Sequence, residues 1–180
     1  MKTPPPLFNS PHAYGRLSIA LHWATAWLFL IVTLLGWWME DFDWLEALMT
    51  QSHYLVGLLV LLLGGIRLTS HALQVRPVDL GQPPVWQTTL KQWTQKGLLA
   101  SLILIPLTGF LTLFWDDDPA EIFGWALPHG SHIEALSEFA ESSHEFLVNV
   151  ALFLIALHVL GALKHHWFDM DDTLNRMRGK

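Results

Sequence analysis

The chain has 180 residues, of which 52% are apolar and only 14% charged, with a formal net charge of −6. Soluble domains carry about 25% charged residues, so this balance points to a small integral membrane protein with no nucleic-acid partner. There is no cysteine. That excludes disulfides, thiolate-held iron–sulfur clusters, Cys-type zinc sites and covalently attached haem.

Four uncharged runs follow one another along the chain. The first, LSIALHWATAWLFLIVTLLGWWM, covers 17–39. It is too long for the apolar region of a cleavable signal, so it is expected to be retained. The second opens at SHYLVGLLVLLLGGI and spans about 52–69 if Arg67 snorkels toward the surface. The third, GLLASLILIPLTGFLTLFW, covers 97–115, and the fourth covers about 144–163. About 18 or more apolar residues suffice for a membrane helix. The expected fold is all-α, a single transmembrane four-helix bundle occupying 1–180. In the loop before span four, HIEALSEFAESSHEF either extends that span outward or forms a separate surface helix.

Charge sets the expected orientation. All ten lysines and arginines lie in the N-terminal tail, at the end of span two, in the loop between spans two and three, or in the C-terminal tail. The loops 40–51 and 116–145 have none and hold twelve of the sixteen acidic residues. The positive-inside rule places both termini in the cytoplasm, and Trp37, Trp38, Trp44 and Trp115 form an aromatic belt at the outer ends.

Ordered by depth, four histidines form two layers. His22 and His158 lie near the inner ends of spans one and four; His53 and His144 open spans two and four from outside. His144 and His158 are fourteen residues apart. That spacing returns to within about 40° of one helix face and separates them by about 21 Å along the axis. Ionisable residues inside a span are costly and point to function. A pair of histidines across a bundle can hold haem iron with no open position, which suits electron transfer. Counting from His53, Gly57, Gly64 and Arg67 share one face. The glycines would let a flat macrocycle approach the backbone, and Arg67 would pair with propionates. Gly36, fourteen residues after His22, would clear space in the outer layer. For each glycine, ordinary close helix packing is the alternative. Of the other histidines, His12, His129 and His132 read as surface, and His71, His165 and His166 as candidates for an inner site near a quinone.

The motifs RLSIALHW, HYLVGLLVLLLGGIRL, the His144/His158 pair and LKHHWFDMDDTLNRM, spread over 14–177, resemble the bacterial cytochrome b561 family. The resemblance implies a bacterial inner-membrane bundle with two noncovalent b haems. It ligates one haem by His22 and His158 and the other by His53 and His144, with ubiquinone as electron acceptor or donor. It also implies a superoxide:ubiquinone oxidoreductase activity, with no residue needed as a catalytic acid or base for haem-to-haem transfer. Two features depart from the pattern. Histidines often found at the start of span three are replaced by Gln92 and Gln95, and the acidic outer loops would repel superoxide while attracting a cationic redox protein. The competing readings are a haem-bearing anchor subunit of a larger dehydrogenase or hydrogenase, and a divalent-metal transporter, since imidazoles also bind zinc.

Overall fold

The first uncharged run fills its helix almost end to end, the second and fourth lie inside longer helices, and the third forms the C-terminal part of one. The computed structural model describes residues 6–39, 43–81 and 83–179. Pro4 and Pro5 of the tail, and Glu40 and Asp41 of the acidic loop 40–51, lie outside the described residues. In chain order the elements are α1 (Arg16–Trp38), α2 (Glu46–Leu73), α3 (Val85–Trp115), the strands β1 (Glu121–Ile122) and β2 (Trp125–Ala126), α4 (Glu134–Trp167) and α5 (Thr173–Met177). Helices α1 to α4 are each long and apolar enough to cross a membrane.

The helix ends differ from the hydropathy limits for local reasons. α3 begins at Val85, because Pro84 at its N-cap is extended and supplies a fixed entry to the first turn. The segment VWQTTLKQWTQK is polar but has no helix breaker, so the helix simply continues through it. α4 begins at Glu134, so the outer segment extends the fourth span instead of forming a separate helix. The hairpin β1–β2 adds a small element that hydropathy does not signal. Phe123 and Gly124 both take positive φ, 49° and 85°, which is the turn that matches strand twist, and Ile122 is buried beneath it.

Packing runs α1 on α2, α2 on α3 and α3 on α4. Among the described residues, the most extensive helix packing is that of α4 on α3. Pro106 lies inside α3 and removes the N–H that the Leu102 carbonyl would otherwise receive. α2 presses Gly64 onto that point, where a Cβ would sit 2.9 Å from the Leu102 oxygen. The apolar core gathers Phe29 and Val32, Val60, Leu102 and Ile105, and Ala151, one or two residues from each long helix.

A seven-residue spacing, close to two turns, organises the bundle in depth. The series are His22–Phe29–Gly36, His53–Val60–Arg67, Gln95–Leu102–Gly109 and His144–Ala151–His158. The middle members are the buried core residues. One flanking layer therefore reads His, Arg, Gln, His and the other Gly, His, Gly, His.

The first and last described segments lie at one end. There Asn9 Nδ2 donates to the Val75 carbonyl (3.1 Å), its Oδ1 accepts the Gly15 N–H (2.8 Å), and Arg176 donates to the Val78 carbonyl (2.8 Å). The hairpin lies at the other end, where the Phe123 N–H donates to Gln51 Oε1 at 2.8 Å.

Candidate haem sites

The two histidine pairs expected from depth face each other in space. The His22 and His158 rings lie 6.1 Å apart between centroids, and the His53 and His144 rings 6.3 Å. These contacts join α4 to α1 and to α2. Two imidazole nitrogens each about 2.0–2.1 Å from one metal, with ring centroids about 1.2 Å further back, stand about 6.4 Å apart centroid to centroid. Both pairs match that spacing, and a bis-imidazole donor set suits haem iron.

The two pairs differ behind the facing nitrogens. His53 donates its Nδ1–H to the Val32 carbonyl at 3.0 Å, and His144 donates its own to the Ile105 carbonyl at 2.9 Å. A carbonyl only accepts, so Nδ1 carries the proton and Nε2 is left with its lone pair, the form a metal takes. At His22 the partner is a donor. Arg67 Nη2 donates to His22 Nδ1 at 2.8 Å, and Nη1 donates to Thr25 Oγ1 at 2.6 Å. Ligation through His22 Nε2 would need the proton on Nδ1, so Arg67 must then turn away, and a propionate has the charge to receive it.

The glycines divide. Gly57 has open space where a Cβ would be. Gly64 does not: that space is filled by the packing of α2 on α3. Gly36, expected to clear room for a macrocycle, instead makes room for the His53 ring itself, whose Cε1 would lie 2.9 Å from a Cβ at this position. Gly109 stands in the same relation to His144. Sequence reasoning missed it, because α3 carries no histidine to draw attention to its glycines. The available signal was its place in the seven-residue series.

The remaining histidines lie apart from these pairs. His12, His129, His132 and His166 are not in either pair, and His129 Nε2 donates to the Asp116 carbonyl at 2.9 Å. His71 is half-buried near the end of α2. His165 donates Nδ1–H to Asp171 at 2.7 Å and lines a cavity of about 40 Å³ with Asp79, Lys91 and Thr173, room for a water or two rather than a quinone ring. His165, Asp169 and Asp171 group their ligand atoms within 4.8 Å, but Lys164 already pairs with both oxygens of Asp169.

Comparison with known proteins places the chain in a family. The sequence profile of prokaryotic cytochrome b561 matches residues 13–180. The chain is 30% identical to cytochrome b561 homolog 2 of Escherichia coli (strain K12), over 96% of this chain and 94% of that one. It is 28% identical to cytochrome b561 homolog 1 of the same organism, over 91% and 96%. It is 26% identical to the probable superoxide oxidase CybB of Yersinia pestis, over 93% and 96%. With four membrane-length helices, paired imidazoles and a family match across nearly its whole length, the chain belongs to the prokaryotic cytochrome b561 family, membrane electron-transfer proteins that bind haem b.

Proposed function

We propose that this protein holds two b haems, one between His22 and His158 and one between His53 and His144, and passes electrons across the bacterial inner membrane. The electrons run between a membrane quinone and a donor or acceptor at the acidic face. The observation that carries the reading is the pair of imidazole separations, 6.1 and 6.3 Å, at two depths of one bundle. Lysine and arginine at the end bearing the termini support a cytoplasmic placement of that end.

Held by His22 and His158 and by His53 and His144, haem would supply one-electron exchange, chemistry suited to electron transfer. The chain does the rest. Four imidazoles from three helices set the position and tilt of the two sites. The Val32 and Ile105 carbonyls keep the protons of His53 and His144 on Nδ1. Arg67 supplies a cation at the inner layer, and Gly57 leaves a face of α2 open. Phe29, Val60, Leu102 and Ala151 exclude water between the layers.

The outer partner is proposed to be a cationic redox protein. Asp117, Asp118, Glu121, Glu134 and Glu138 lie on that face, and no lysine or arginine of the outer loops offsets them. Its binding should weaken as salt rises toward physiological strength; affinity independent of salt would remove this partner. A second reading, superoxide as the donor, is favoured by the name of the Yersinia pestis relative.

The test is a reduced-minus-oxidised spectrum of the purified protein with haem quantified as pyridine haemochrome. Two b haems per chain are expected, with one lost in His158→Ala and the other in His144→Ala. Haem-free protein containing zinc would support the metal-transporter reading instead.

A further inference from the structure

We infer that Gly36 and Gly109 are positioning residues for the outer histidine pair, each opening a backbone notch that lets an imidazole reach a carbonyl one turn earlier. The inference rests on the proposal that His53 and His144 ligate haem.

Two helices carry the same arrangement independently. In α1 the Val32 carbonyl accepts from His53, and Gly36 is four residues on; in α3 the Ile105 carbonyl accepts from His144, and Gly109 is four residues on. A residue four positions later stands over the same face of the helix, and its Cβ leans back toward the preceding turn. That is where the incoming ring must lie. A Cβ on Gly36 would be 2.9 Å from His53 Cε1 and 3.2 Å from Nδ1; one on Gly109 would be 3.0 Å from both Cε1 and Nδ1 of His144. The rings cannot give way easily. Each is held on one side by its carbonyl and faces its partner imidazole on the other. Alanine at either glycine should therefore push the ring off the carbonyl or rotate it.

The inner layer has no such notch among the described residues. Its corresponding contact is Arg67 on His22 Nδ1. The notches thus set a property of the outer pair alone. A Nδ1–H held by a carbonyl makes the opposite nitrogen a stronger donor, which favours the oxidised metal.

The experiment compares Gly36→Ala and Gly109→Ala with Gly65→Ala, whose added methyl meets nothing within 4 Å. The centre lost in His144→Ala identifies the outer signals. In both notch variants the outer centre should show a raised reduction potential and a displaced low-field electron paramagnetic resonance feature, with the inner centre and Gly65→Ala unchanged. Wild-type potentials and spectra in both variants would overturn the inference. Should the variants fail to accumulate, 15N-histidine NMR of the unaltered reduced protein decides. Exchange-protected Nδ1–H signals are expected from His53 and His144, and their absence would sink the idea. A wild-type protein without haem would instead defeat the underlying functional proposal, so the two failures are distinguishable.

Discussion

Arg67 places a guanidinium against His22 and Thr25, and among the described residues no carboxylate pairs with it. A cation held that way within a span has few uses besides an anionic ligand. Replacing Arg67 with Gln should lower the reduction potential of the inner centre by the equivalent of about 1–3 kcal/mol, the size expected for a nearby charge at an effective dielectric near 20. Arg67→Lys should recover most of that shift, and redox potentiometry of both variants checks it. Arg67 was legible in sequence because it falls fourteen residues after His53, at the depth of His22. What it touches was not, since the contact crosses between two helices and depends on their rotation. The carbonyl partners of His53 and His144 were hidden for the same reason: any residue type can offer a carbonyl.

At the scale of elements, the spans were readable wherever hydropathy controls them and unreadable where caps do. The start of α3 is set by Pro84, and the C-terminal turn by hydrogen bonds among polar residues. That last segment ties α4 back to α1: Trp23 Nε1 donates to the Met177 carbonyl at 2.8 Å, while His165 donates to Asp171. Trp23→Phe removes one exposed hydrogen bond and should cost the clamp about 1 kcal/mol or less, seen as faster amide exchange over 170–179. Asp171 links the clamp to pH. Burial raises its carboxyl pKa, but hydrogen bonds from the Thr173 side chain and backbone and from His165 outweigh that and hold it below the ordinary value of 3.8. A depressed carboxyl stabilises the fold above its unfolded pKa and loses that contribution as pH falls through the folded one. The clamp should therefore hold at neutral pH and loosen only below about pH 4, and Asp171→Asn should loosen it at every pH above that. Proteolytic release of the C-terminal residues across pH reads both.

Over the whole molecule, three layers at seven-residue spacing make a bundle whose middle is closed. Ala151 is fully buried there, and Ala151→Leu should destabilise the protein by about 1–3 kcal/mol through overpacking, measured as a lower thermal midpoint in detergent. The two pairs could be matched by depth from sequence because helix rise is regular. Which helices lie side by side could not, since connectivity alone permits more than one order around the bundle. The buried hydroxyls of Thr25, Thr33 and Ser101 are all committed to their own helices, donating to the Leu21, Phe29 and Gly97 carbonyls. No acidic, basic, histidine or tyrosine side chain occurs in 24–35, 55–66, 97–108 or 146–157. The middle layer thus offers no relay for protons. An electron crossing it would travel without a compensating proton, so its passage would be electrogenic. The layers are separated by about 21 Å of a hydrocarbon core about 30 Å thick, so such a crossing would sample roughly 0.7 of the transmembrane voltage, about 1.6 kcal/mol per 100 mV. The apolar middle layer would thereby make the sharing of electrons between the two faces sensitive to how strongly the membrane is energised.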